Sequence, residues 1–378
     1  MFYMKVKSFI VCLMLSFSLT TYASSDKLVN ATITYGIDDN PFNLTEDLKG
    51  VEQPFAFAEI RARTNYKKLF FFNARADKAF YEDDPRADEF NAYASIRLRS
   101  KFKLLKQKFR YQIGGNYRIK DKTYVSKNTG LVGTYRGASI ADRYDWNQVT
   151  TNAELTYLPT KNLSLDFNFE NRAKDYTELA EASDFSYLHQ KYLIGLEYRS
   201  SDLGRFFINA ALKQRDYNDK RGKDLLGDDV LGTDLIFDYN TLNLGYIYRP
   251  NKKVRWRYTY NYEERRDNTS GYYNATSGHL AITAKHQFGD YQYLTARIKY
   301  SKFSLINQID IDEDQLEEQA TDRKGLGMSL GYEWVFATLY DTNIALYTEI
   351  EYDNFESFDI TYTYESRKIS LGVRWSAF

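Results

Sequence analysis

Arginines spaced two residues apart recur along this chain: Arg61 and Arg63, Arg97 and Arg99, Arg255 and Arg257. Arg75, Arg110 and Arg118 stand singly. Carboxylates repeat the spacing at Glu349 and Glu351, with Glu59, Glu197 and Glu333 elsewhere. A spacing of two puts both members on one side of an extended strand. The chemistry open to such rows is electrostatic. Opposite charges on neighbouring strands pair and stiffen a wall. An unpaired basic row instead attracts anions and sets selectivity. Tyr93 and Tyr347 fall among these residues and offer rings for stacking a sugar.

Bond-breaking chemistry has less to work with. The histidines are His189, His279 and His286, none in a His-x-Ser context, and no Gly-x-Ser-x-Gly occurs. The single cysteine, Cys12, lies in an apolar N-terminal run. Asp310, Asp312 and Asp314 imitate the start of a calcium loop, but the sixth position is Gln315 where an EF-hand needs glycine. The expectation is no catalytic residue, no metal and no cofactor. A lipid hydrolase with a spatially assembled triad remains a minor alternative.

The elements carrying these residues read with a period of two. In "NLSLDFNFE", Leu163, Leu165, Phe167 and Phe169 alternate with polar residues. In "KVRWRYTYNYE", Val254, Trp256, Tyr258, Tyr260 and Tyr262 do the same. About sixteen such segments occur, each roughly 10 to 14 residues long, longer than the average soluble strand. Their connections alternate between short and long, and the longest, residues 120–145, is placed to form a constriction or an outer lid.

Composition narrows the class. Tyr (34) and Phe (25) are abundant and Pro is scarce (5), which favours strands. No stretch after the N-terminal run approaches the length of a membrane helix. That run follows Lys5 and Lys7 and leads to Thr21-Tyr22-Ala23, the layout of a signal peptide spanning residues 1–23, with residues 24–378 as one domain. Removing Lys5 and Lys7 from the 51 cations leaves 49 against 51 carboxylates, so no global basic field attracts nucleic acid.

An exported chain of long amphipathic strands points to an all-β fold: a closed antiparallel transmembrane β-barrel of about sixteen strands, with short periplasmic turns and long external loops. Lipid is then the partner of the apolar face. Tyr111, Tyr117, Tyr157, Tyr198, Tyr246, Tyr248, Trp256, Tyr332, Trp334 and Trp375 are candidates for the interfacial girdles. The arginines and glutamates above are the candidate pore lining. A soluble sandwich or propeller is the competing fold.

The last segment, "KISLGVRWSAF", looks like the closing strand of Gram-negative outer-membrane proteins, whose terminal aromatic, here Phe378, is read by the barrel-assembly machinery. Its apolar set is one residue out of phase with that pattern, and a bulge near Ser376 is expected to restore the register. Together with "ITYGIDDNPFNL" (Ile33 to Leu44), it resembles the β-barrel porins associated with exopolysaccharide loci. That resemblance implies the outer membrane, a conduit role and an anionic polysaccharide as a partner. A plugged structural or assembly barrel is the alternative.

Overall fold

The computed structural model describes residues 26–135, 138–177, 185–202, 204–307, 322–359 and 362–377. The signal-peptide segment, Asp310, Asp312 and Asp314, and Phe378 lie outside the described residues.

Alternating sequence becomes alternating exposure. On β1 (Asp26–Asp38), Ile33 and Tyr35 are each 57% exposed, whereas Thr32 and Thr34 are 5% exposed. Apolar side chains point out and polar ones point in, the reverse of a soluble β-protein. The pattern continues through β2 (Gln53–Tyr66), β3 (Phe70–Tyr81), β4 (Glu89–Leu104) and β5 (Gln107–Lys122). A two-residue hairpin follows, β6 (Thr134–Tyr135) with β7 (Ala138–Ser139). Then come β8 (Trp146–Leu158), β9 (Leu163–Tyr176), β10 (Tyr187–Ser200), β11 (Gly204–Tyr217), β12 (Ile236–Tyr248) and β13 (Val254–Asp267). The last five are β14 (Ala275–Phe288), β15 (Gln292–Leu305), β16 (Asp322–Leu339), β17 (Thr342–Ser357) and β18 (Tyr364–Ala377).

All strands except β6 and β7 join in one closed sixteen-stranded antiparallel barrel, in which each strand pairs with its sequence neighbours and β1 pairs with β18. Closure satisfies every edge, which a lipid-facing sheet requires. The β1–β18 register runs unbroken from Val29↔Ala377 to Asp38↔Lys368. The bulge expected near Ser376 is therefore absent; Ser376 pairs regularly with Asn30 and Asn343. A register shift falls instead between Val335 and Ala337 on β16. Several strands exceed the expected length, and β16 reaches 18 residues, because the ladder continues into the connections.

The seam is held close. Gly36 and Gly372 face inward there, and an added Cβ would lie 2.1 Å from the Ile369 carbonyl oxygen and 2.2 Å from that of Ile33. At the upper end Arg367 donates its backbone N–H to Asp39 Oδ1 (2.6 Å), and Asn40 Nδ2 donates to the Glu365 carbonyl (2.8 Å).

The two ends differ in charge. Short connections carry Lys67, Lys68, Lys106, Lys161, Arg249, Lys252 and Lys253, against Asp202, Asp290 and Asp341. Long connections are rich in carboxylates, among them Glu46, Asp47, Glu82, Asp83, Asp84, Asp219, Asp224, Asp228, Asp229 and Asp234.

Candidate functional site

Cross-strand partners share a face, so register assigns every side chain. Thr32 pairs with Glu59 on one side and Arg374 on the other. From that inward row the ladder places Arg61 and Arg63 (β2), Arg75 (β3), Arg97 and Arg99 (β4), and Arg110 and Arg118 (β5) on the inner face. Glu197 (β10), Arg255 and Arg257 (β13), Glu333 (β16), and Glu349 and Glu351 (β17) share that face. Tyr111, Tyr246, Tyr248, Trp256, Trp334 and Trp375 are on the outer face.

The inner charges divide into two groups. In the first, Arg75 Nε lies 2.8 Å from both Glu59 and Asp77, and Arg61 lies 3.6 Å from Glu59. Arg110 donates to Thr156 Oγ1 (2.9 Å) and lies 3.4 Å from Glu154. Glu197, 6% exposed, receives both Arg199 and Arg205, and Arg374 bonds Glu333. These pairs brace the wall.

In the second group, Arg63, Arg97, Arg99 and Arg118, no carboxylate among the described residues is within ion-pair distance. Arg63 reaches only the Asn73 amide (3.4 Å), Arg97 packs on Phe71 (5.8 Å), and Arg118 lies over Tyr93 (5.0 Å). A cavity of about 520 Å³ opens on this part of the wall, lined by Arg61, Arg63, Arg75, Arg118, Lys120, Tyr93 and Trp146, with Asp77 as the one carboxylate in its lining. Arg75 of β3 and Glu349 and Glu351 of β17 meet across β1 and β18, around a second cavity of about 310 Å³ that also contains Glu59, Lys368 and Arg374. Tyr93 and Tyr347 each have an arginine over the ring, Arg374 at 4.8 Å from Tyr347, so each ring has a face already occupied.

Sequence reasoning missed a belt of cations and rings at the long-loop end of the inner wall. Lys174 lies over Trp146 (4.1 Å), Arg215 over Tyr187 (4.5 Å) and Tyr239 (5.3 Å), Arg265 over Phe237 (4.8 Å) and Phe303 (5.5 Å), and Arg323 over Tyr362 (5.1 Å). The available signal was aromatic residues at inward parity near strand ends, where polar ones are expected.

The described parts of the long connection, residues 123–135 and 138–145, reach opposite sides of the mouth. On one side Lys127 Nζ donates to the carbonyls of Phe42 (2.7 Å) and Asn43, and lies over Tyr364 (5.5 Å). Burial pulls this ammonium down to about 8. On the other side Arg143 sits over Phe185 (4.7 Å), Tyr144 packs on the same ring (6.0 Å), and Lys220 approaches it at 3.9 Å. Phe185 in turn packs edge-on against the inward-facing Tyr176 (5.9 Å). The connection is thus a strut tied to opposite sides of the inner rim.

His189 faces inward between Arg172 and Arg215, and His286 faces outward against Phe288 (4.1 Å). His279 faces inward opposite Asn261 and Ser301, yet no hydrogen bond joins the three. Among the described residues no group of three metal-binding side chains occurs.

No family model matches the sequence, and no curated protein matches it. Solved structures to which the chain is similar include a loop L8 deletion mutant of OmpT, an outer membrane protein of Vibrio cholerae (14% identity over 94% of this chain and 100% of that one, TM-score 0.40). Others are OccAB1 of Acinetobacter baumannii (8% identity, 94% and 97% coverage, TM-score 0.44) and a bacterial polysaccharide outer membrane secretin (6% identity, 93% and 97% coverage, TM-score 0.44).

Proposed function

We propose that this chain spans the Gram-negative outer membrane as a porin-like channel for anions. The carrying observation is the row Arg63, Arg97, Arg99 and Arg118, with no carboxylate in ion-pair distance among the described residues, on the inner face of a closed barrel whose outer face is apolar. A structural wall would pair these charges, as it pairs Arg75 and Arg110. Left unpaired in a wet lumen, they raise the local concentration of anions. No cofactor and no covalent step are involved. The outer face meets lipid, with Tyr246, Tyr248 and Trp256 at an interface, and β18 is the strand the barrel-assembly machinery would engage.

The strut across the mouth favours small anions. Export of an acidic surface polysaccharide, implied by the family resemblance, additionally needs that strut to move. Reversal potentials across a planar bilayer in a salt gradient test the reading. The wild type should prefer anions, and Arg97→Gln/Arg99→Gln/Arg118→Gln should lower the anion-to-cation permeability ratio by roughly two- to threefold at low salt, where the Debye length is about 10 Å. A silent wild type would favour the plugged, structural barrel.

A further inference from the structure

At the short-turn end of the lumen, far from the β2–β5 row, the β12–β13 turn and its neighbours form another cavity of about 530 Å³. Its cations are Arg249, Lys252, Lys253, Arg255 and Lys285. None of these five is within ion-pair distance of a carboxylate among the described residues. The nearest inward carboxylate by register, Glu333 opposite Tyr293, is engaged by Arg374.

Arg255 and Lys285 are direct cross-strand partners. Like charges in that relation destabilise a sheet. The arrangement is nonetheless built firmly. Asn251 Oδ1 accepts the backbone N–H groups of Lys253 and Val254, both at 2.9 Å, and the Lys253 carbonyl accepts from Gln287 N (2.8 Å). Lys285 Nζ is held over Tyr293 at 4.7 Å. These bonds fix the turn's backbone, so the exposed side chains of Lys252 and Lys253 start from beside the opposed pair.

We infer that this vestibule binds a multiply charged phosphoryl anion arriving from the short-turn side. Lysine and arginine offer donors and no acceptors, which suits the acceptor-rich oxygens of a phosphoryl group. A single halide would leave most of the repulsion in place, whereas a pyrophosphate-sized anion neutralises several cations at once and fits the volume. Because Arg255, Lys285 and Tyr293 face the lumen, the occupant is a solute and not a lipid headgroup. The inference rests on the wet lumen of the proposed channel.

The test is titration of the full-length protein in detergent with inorganic pyrophosphate, followed by phosphorus NMR at low salt. The expected result is saturable binding that acetate at equal ionic strength does not displace. Lys252→Gln/Arg255→Gln/Lys285→Gln should weaken it at least about tenfold, a loss of about 1.4 kcal/mol. Arg255→Lys/Lys285→Arg should retain it, and Arg97→Gln/Arg99→Gln on β4 should leave it within about twofold, as expected for distant sites. Circular dichroism confirms that each variant keeps its strands. Equal weakening by the β4 variant would reduce the site to general lumen attraction, and displacement by acetate would remove the phosphoryl preference; either overturns the proposal. Binding retained in a protein that conducts no current would sink the channel reading alone. Conductance without binding would sink the vestibule alone.

Discussion

Asp145 shows how one carboxyl can set the behaviour of the strut. It lies at the end of residues 123–145, where its Oδ1 accepts the Lys122 N–H (2.7 Å) and its carbonyl accepts the Thr177 N–H (3.0 Å). Burial, reinforced by Asp121 and Asp142, pushes its pKa up to about 6 from 3.8, against the opposing pull of the Lys122 N–H. A raised carboxyl pKa means the folded loop disfavours the charged form. The loop therefore holds its full stability below about pH 4, loses part of it as pH rises through about 6, and stays weaker above. Asp145→Asn keeps the acceptor and removes the charge. Limited proteolysis of the strut should then be slower than wild type at pH 8 and equal to it at pH 4. A wild-type strut equally resistant at both pH values would contradict this assignment. The nearby Asp142 is visible in the sequence, but the main cause, burial, is not.

The strands themselves were legible. Each must present one face to acyl chains and the other to water, so the period of two is written into every segment, and parity alone was enough to sort Arg97 from Ile96 and Glu349 from Ile350. What parity cannot reveal is which residue stands opposite which. Arg110 next to Glu154, or Arg215 between Tyr187 and Tyr239, follows from register, and register is set by turns and by closure. The position of the bulge has the same origin: the phase of the last segment does not set its register, and the seam is governed by Gly36 and Gly372. Backbone there approaches so closely that a side chain has no room. Gly372→Val should destabilise the barrel by roughly 1–3 kcal/mol, as overpacking does elsewhere. Gly331→Ala, whose new methyl would meet nothing nearer than 3.7 Å, serves as the tolerated control. Urea midpoints of protein refolded in detergent would separate the two, and equal midpoints would refute the steric account of the seam.

At the scale of the whole molecule, sequence gave a barrel with a charged lumen but not its internal division of labour. Paired charges brace the wall, unpaired ones line it, and a cation–aromatic belt stiffens the outer rim. The axial segregation of charge, lysine-rich at the short turns and carboxylate-rich at the long connections, has a consequence of its own. In the proposed channel, mobile ions meet lysines at the short-turn mouth and, at the other, the carboxylates of the long connections before the cation–aromatic belt, the fluid counterpart of a semiconductor junction. With the long-loop side made positive, anions from the basic mouth and cations from the acidic mouth are both driven inward, and carriers accumulate. Reversed, both are swept out and the pore depletes. Oriented single channels should therefore rectify, with current larger when the long-loop side is positive, by roughly twofold at 0.1 M salt and hardly at all at 1 M, where the screening length shrinks to about 3 Å. A straight current–voltage line at low salt would show that the two collars do not govern transport, and rectification of this sign would make the proposed channel pass charge more readily in one direction than in the other.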